Sequence, residues 1–137
     1  MEVLRIDYGT TSFLFTGDAE TMAEYTMLSG DVPLSADVLK VGHHGSHTSS
    51  DFDFLSAVNP WYAVISCGKD NAYGHPHPET LEKLFEMNVD VFRTDLQGTI
   101  KAVSNGNTIE FTIEKEATQE ALFSSPYNNM SMTDLKE

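Results

Sequence analysis

The run WYAVISCG, residues 61–68, is almost continuously apolar and constrains the fold more than any other segment. A strand with one solvent-exposed face alternates apolar and polar side chains, whereas a strand covered on both faces shows a short unbroken apolar run. The run therefore predicts an interior strand of a covered sheet. Cys67 lies in this run and is the only cysteine, so it has no partner for an internal disulfide and is interpreted as a buried thiol.

Strand-like and helix-like segments alternate on either side of this run. VLRID and SFLFT, joined by YGTT, predict a hairpin, and DVLKVG, DVFRT, GTIKAVS and NTIEFTI predict further strands. AETMAEYTMLSG, DFDFLSAVNP and HPETLEKLFEMN predict helices, the first with Met22, Tyr25 and Met27–Leu28 at helical spacing. This order predicts an α/β fold with a mixed sheet.

The length of 137 residues and the apolar content of 40% suit one domain with a real core. We assign residues 1–113 to the α/β unit and residues 114–137 to a polar C-terminal extension that is partly ordered. No apolar run approaches the roughly 20 residues of a membrane helix, and MEVLRIDYG lacks the features of a secretory signal. The chain as printed is therefore expected to be soluble and cytoplasmic.

The net charge of −13 argues against electrostatic binding of nucleic acid over a broad surface. Sequence-independent binding of nucleic acid rests on Lys and Arg neutralising phosphates, and this chain has 8 of them against 21 acidic residues. Bound divalent cations could supply positive charge locally. The other interpretation is a solvated acidic surface that aids solubility.

All the histidines fall in two short segments, VGHHGSHTSS and YGHPHPET, and Asp18 ends the strand-like run SFLFTGD. Imidazole and carboxylate groups suit zinc, manganese or iron, and the carboxyl ends of strands are where α/β sheets place ligands. The pattern therefore predicts a metal or phosphoryl-transfer site where these loops leave the sheet. The histidines are His43, His44, His47, His75 and His77.

Several candidates have a second, purely structural interpretation. Asp18 could cap the following helix, because aspartate at a strand-to-helix junction satisfies free backbone N–H groups. Ser46 and His47 could contact a phosphate or only hydrogen-bond their own turn. His77 could contact substrate or begin the next helix. Two further candidate donors to an anionic substrate are Lys69 and Asn71.

Taken together, TGDAE, DVLKVGHHGSHTSS, SCGKDNAYGHPHPETL and FRTDLQGTI resemble the C-terminal half of a metallo-β-lactamase-fold hydrolase. The resemblance covers roughly residues 2–104 and is strongest to the hydrolase domains of ComEC-type DNA-uptake proteins and their free-standing relatives. It implies half of an αββα sandwich, with a mixed sheet and helices on one face. It also implies hydrolysis of a phosphodiester, in DNA or a nucleotide-like ester, by a metal-bound hydroxide.

The resemblance assigns roles to individual residues. Asp18 corresponds to the carboxylate that bridges two zinc or manganese ions, and His44, which stands directly before Gly45, to a ligand of the second ion. His43 would then either face the substrate as a catalytic residue or support the metal ligands from behind. His75 belongs to a loop that borders the active-site cleft, which implies phosphate contact or proton delivery to a leaving group.

One part of the family pattern, the metal-binding motif HxHxDH, does not occur in this sequence. Asp18 and His44 supply two ligands where stable zinc sites use three or four, so the site of this chain alone is expected to be weak. The sheet face that would meet the other half should be apolar and should bind either the missing N-terminal half or a second copy in a homodimer. The alternatives are an inactive, self-associating remnant of the fold and a module that binds phosphate or metal without turnover.

Overall fold

A five-stranded sheet organises the computed structural model of this chain, which describes residues 2–130. Its spatial order is β1 (Leu4–Tyr8), β2 (Thr11–Phe15), β3 (Val38–Lys40), β4 (Tyr62–Ile65) and β5 (Asp90–Arg93). The first two strands form the predicted antiparallel hairpin, and β2 to β5 run parallel. The predicted mixed α/β sheet is therefore confirmed.

Three helices connect the parallel strands: α1 (Thr21–Leu28), α2 (Phe52–Val58) and α3 (Pro78–Glu86). These helices share a core with one face of the sheet. The sheet side chains in this core come from residues that are paired in register across four strands. Its sheet members include Leu14, Leu39, Ala63 and Val91, and its helical members include Phe54, Leu55, Val58, Leu81 and Leu84.

Residues Tyr62–Ile65 of the apolar run form β4, which is an interior strand as predicted, but only one of its two faces is fully buried. Ala63 and Ile65 are fully buried on the helical side, while Tyr62 and Val64 are half-buried on the other. Cys67 follows the strand as a partly buried free thiol, and burial raises its pKa to about 12.

A second hairpin, formed by β6 (Ile100–Ser104) and β7 (Ile109–Ile113), lies on the face of the sheet opposite the core. Its Phe111 ring contacts the rings of Phe92 and Tyr62, at centroid distances of 4.2 and 4.8 Å. It covers this face only in part. On β1, Leu4, Ile6 and Tyr8 remain 55%, 44% and 57% exposed.

The helix α1 was predicted correctly, but its predicted apolar face was only partly right, since Met27 packs against the core whereas two other members of that face do not. Met22 and Tyr25 are exposed, and the buried side chain is Glu24. Its carboxylate accepts hydrogen bonds from the backbone amides of Ser50 and Asp51, at 2.6 and 2.9 Å, where α2 begins. These amides compensate the burial of the acid, although burial still raises the pKa of Glu24.

The first part of the C-terminal extension, residues 114–130, packs against the α/β unit. Within this segment, the short helix α5 (Gln119–Leu122) lies near β5, and its Leu122 is buried. The short helix α4 (Thr94–Gln97), which belongs to the α/β unit, also lies near β5. The Ser125 hydroxyl donates a hydrogen bond to the Pro76 carbonyl at 2.6 Å, which ties the extension to the second histidine segment. The rest of the predicted extension, 131–137, lies outside the described residues.

Within residues 2–130, no helix has the length and apolar character needed to cross a membrane.

Candidate active site

The structure brings Asp18 and all the histidines to one cavity of about 380 Å³ at the carboxyl ends of the parallel strands. Two of the contributing loops follow β2 and β3, and the third contains His75 and leads into α3. The lining residues are Asp18, Glu20, His43, His44, Ser46, His47, Thr48, Tyr73, His75 and His77. The two histidine segments, about 30 positions apart in sequence, thus form one surface.

The backbone after β3 turns sharply through Gly42–Gly45. His43, His44 and Gly45 all have left-handed φ angles, of 50°, 57° and 83°. Consecutive non-glycine residues in this region are uncommon, because each costs roughly 1–2 kcal/mol, and such strain is concentrated at functional sites. The His43 amide also donates to the Gly17 carbonyl at 2.9 Å, which joins this turn to the Asp18 loop.

Asp18 and His44 face each other with 3.7 Å between Oδ1 and Nε2. His44 Nδ1 lies 2.7 Å from the Ser66 carbonyl, and since a carbonyl only accepts, Nδ1 carries the proton. In the neutral ring, Nε2 then has a free lone pair on the side of Asp18, the arrangement in which imidazole binds a metal. The helix begins at Thr21 with Glu20 at the cap position, so the interpretation of Asp18 as a helix cap is wrong.

The donor set fits part of a metal centre. A carboxylate and a neutral imidazole suit zinc or manganese, but two donors are fewer than a stable zinc site uses. Among residues 2–130, no group of three or more His, Cys, Asp or Glu side chains is arranged to hold an ion. A metal bound by Asp18 and His44 would need further ligands from water or from another polypeptide surface.

His43 is oriented by two neighbours that the sequence prediction missed. Its Nδ1 lies 3.2 Å from Glu20 Oε2 and 3.3 Å from Thr48 Oγ1. The hydrogen bond from Thr48 and the proximity of His43 lower the pKa of Glu20. Glu20 lies two residues after Asp18 in the motif TGDAE, so its position beside the site could have been predicted from that motif. Tyr73, also missed, stacks on His75 at 5.3 Å between ring centroids.

His75 is the most enclosed of the cavity's candidate catalytic residues, at 7% exposure. Its ring centroid lies 5.9 Å from that of His43, 6.2 Å from that of His44 and 4.7 Å from that of His77. Burial, reinforced by these histidines, lowers the pKa of His75 to about 4. His75 is therefore neutral near neutral pH, with an imidazole that can donate one hydrogen bond and accept another.

The remaining candidates have mainly structural contacts. The Asn71 side chain bonds the backbone of its own loop, with 2.8 Å to the His75 carbonyl and 2.9 Å from the His75 amide. Of the residues that the structure describes, those lining the cavity include neither Asn71 nor Lys69. The Ser46 hydroxyl bonds Thr48 Oγ1 at 2.9 Å within its turn. His77 occupies the cap position of α3, which confirms that it begins this helix.

Gly45 sets the spacing between the two histidine segments, and Gly45→Ala should disturb it. A Cβ at this position would lie 2.6 Å from Pro76 Cβ, and the residue has a left-handed φ of 83°. Strain and overpacking together are expected to lower the free energy of unfolding by about 2–4 kcal/mol, measured by urea denaturation. Gly68→Ala is the control, because its Cβ would meet the nearest atom only at 3.9 Å. Equal stabilities for the two variants would contradict this role of Gly45.

Comparison with known proteins finds relatives among competence proteins. The chain is 42% identical over 99 residues to ComE operon protein 3 of Bacillus subtilis (strain 168). The aligned segment covers 72% of this chain and 13% of that protein. The chain is 41% identical over 102 residues to competence protein ComA of Neisseria gonorrhoeae, covering 72% and 14%. Recombination protein 2 of Haemophilus influenzae is 39% identical over 101 residues, covering 72% and 12%.

The chain thus spans only about an eighth of the length of these curated relatives. No family model and no solved structure matches it. Identity near 40% over about a hundred residues nevertheless supports a relation between this chain and a segment of the competence-protein family.

Proposed function

We propose that this chain forms the C-terminal half of a metallo-β-lactamase-like hydrolase domain that cleaves phosphodiesters, with DNA as the substrate class. The observation that carries the proposal is the pair Asp18 and His44, 3.7 Å apart, in a cavity lined by every histidine of the chain. The similarity to competence proteins favours DNA over smaller esters. A role in DNA uptake follows from the same similarity.

Asp18 and His44 would hold a zinc or manganese ion, which when bound supplies Lewis-acid activation of the phosphoryl group and of water. The chain's own residues would bind and orient the phosphodiester. Doubly protonated His43, with Nδ1–H directed at Glu20 and Nε2–H free, and neutral His75 would donate hydrogen bonds to the phosphoryl oxygens as charge develops on them. A bound divalent cation would also supply positive charge locally, beside the phosphodiester, in a chain whose net charge is −13.

We propose that another polypeptide surface supplies further metal ligands, with water completing the coordination. The sheet face opposite the helical core offers a place for one, because Leu4, Ile6 and Tyr8 on β1 remain exposed beside the second hairpin. β1 is also an edge strand, and no strand within residues 2–130 pairs with its outer side. We propose that the half-domain carrying HxHxDH, or a second copy of this chain, covers this face.

A second candidate function is a module that binds phosphate or metal without turnover. The observation in its favour is the small donor set, since no third protein ligand joins Asp18 and His44 within the described residues. A metal without enforced coordination geometry gains little ability to activate water.

Hydrolysis assays on the associated form of the chain separate the two candidates. Light scattering identifies the concentrations at which the chain self-associates, and single-stranded DNA and a p-nitrophenyl phosphodiester are then offered with zinc or manganese. The proposal predicts metal-dependent hydrolysis that Asp18→Asn abolishes. Metal binding by the associated form without hydrolysis of either substrate would instead support the binding module.

A further inference from the structure

His77 has both ring nitrogens committed inside the protein. Its Nε2 lies 2.9 Å from the Tyr73 carbonyl, and its Nδ1 accepts a hydrogen bond from the His47 amide at 2.9 Å. A carbonyl only accepts and a backbone amide only donates, so the proton of His77 is on Nε2 and Nδ1 is bare. His77 is 7% exposed, and the Tyr127 ring packs edge-on against its ring at a centroid distance of 5.1 Å.

The tautomer of His77 determines that of His47. Nδ1 of His47 lies 2.8 Å from Nδ1 of His77. Two bare nitrogens cannot share a hydrogen bond, and His77 has no proton to offer there, so the proton lies on Nδ1 of His47. Free histidine prefers its proton on Nε2, so the contact selects the less common form. Within the described part of the chain, Nε2 of His47 has no hydrogen-bond partner, and His47 is an exposed residue of the cavity wall.

We propose that His77 is a positioning residue that holds His47 with its proton on Nδ1, so that Nε2 of His47 is the atom that delivers a proton to the leaving oxygen. This rests on the proposed phosphodiester hydrolysis. A water oxygen forms the new P–O bond and releases a proton to solvent. The ester P–O bond breaks, and the leaving oxygen keeps the electron pair and takes the proton from Nε2 of doubly protonated His47. The ring returns to its neutral Nδ1–H form, and solvent restores the proton.

The placement of the pair agrees with this division of roles. His77 is enclosed by Tyr73, Tyr127 and the start of α3 and cannot exchange a proton without breaking one of its hydrogen bonds. His47 is held through both its backbone amide and its ring nitrogen, which fixes the imidazole plane as well as the tautomer. The contact joins the HHGSH and HPHP segments, so a change at His77 is transmitted to the other loop.

The tautomers are measured directly by long-range ¹H–¹⁵N correlation spectra of the labelled full chain without metal. The expected result is Nε2–H for His77 and Nδ1–H for His47. His77→Asn and His77→Gln form a matched pair, because asparagine places its amide oxygen near the position of Nδ1 and glutamine places its amide near that of Nε2. His47 should keep the Nδ1–H form in the Asn variant and shift to Nε2–H in the Gln variant. A wild-type His47 protonated on Nε2, or one tautomer in both variants, would overturn the positioning role.

Proton delivery by His47 is tested with two leaving groups. His47→Gln should lower kcat for DNA about 100-fold, within the range for general acids, with little change in KM. Hydrolysis of the p-nitrophenyl diester, whose leaving group needs no proton, should change by less than about threefold. Equal losses on both substrates would overturn the assignment. If the wild type hydrolyses neither substrate, the proposed function and the proton-delivery step both fail, whereas the tautomer spectra still decide the role of His77.

Discussion

Replacing Arg93 with methionine is expected to lower the free energy of unfolding by about 3–5 kcal/mol, the cost of removing one partner from a buried ion pair. Arg93 is 1% exposed at the end of β5 and pairs with the Asp95 carboxylate through two hydrogen bonds of 3.0 and 2.6 Å. Methionine fills similar space, but it would leave the buried carboxylate unpaired.

The same guanidinium holds the C-terminal extension. Its Nη1 donates to the carbonyls of Ala121, Leu122 and Ser124 at 3.2, 3.0 and 2.8 Å. These carbonyls would lose a charged donor in the variant, so α5 should undock as the protein is destabilised. Urea denaturation measures the stability, and limited proteolysis of residues 114–130 reports the undocking.

Arg5→Met is the matched control for this prediction. Arg5 bonds the Asp7 carboxylate in the same i, i+2 arrangement and also donates to backbone carbonyls, but its side chain is 20% exposed and that of Asp7 is 59% exposed. An exposed pair of this kind contributes about 1 kcal/mol or less. Similar losses for the two variants would mean that burial does not set the strength of the Arg93 contact.

Acid should destabilise the metal-free protein through His75, by up to about 3 kcal/mol. The pKa of His75 is lowered from 6.5 to about 4 in the folded state, with burial as the largest cause. The unfolded chain therefore binds more protons than the folded chain between these pH values. The contribution of neutral His75 to stability is complete above about pH 6.5 and is lost as the pH falls toward 4.

Urea unfolding at pH 7 and at pH 4.5, with a chelator present, measures this effect in the wild type and in His75→Gln. The variant keeps the backbone contacts with Asn71 but has no titratable ring, so it should lose about 2–3 kcal/mol less than the wild type over this interval. Parallel losses in the two proteins would show that His75 is not held neutral by its surroundings.

Much of the fold was predictable because the strands carry strong local signals. The apolar run around β4 indicated an interior strand, and each turn segment between the strands contains glycine, proline or asparagine where the chain reverses. The convergence of the histidines was also predictable, since loops that follow parallel strands meet at one edge of a sheet. The amino-acid sequence alone was therefore enough to place Asp18 and His44 together.

The failures occur where distant parts of the chain compensate one another. Helical spacing favoured Met22 and Tyr25 as buried residues, but Glu24 takes that place because amides 26 and 27 positions later satisfy it. The role of Arg93 depends on three carbonyls that lie 28, 29 and 31 residues further on. The contact between His47 and His77 likewise spans 30 positions, which no local pattern reveals.

Zinc titration of the full chain, with wild type compared with Asp18→Ala and His44→Ala, tests the proposed metal centre most directly. Asp53→Ala, an exposed carboxylate on α2, controls for non-specific binding to an acidic protein. The predicted result is zinc binding by the wild type and by Asp53→Ala, with affinity at least tenfold lower in both site variants. An absence of binding by the wild type, or binding that survives both Asp18→Ala and His44→Ala, would contradict the assignment of these two residues as metal ligands.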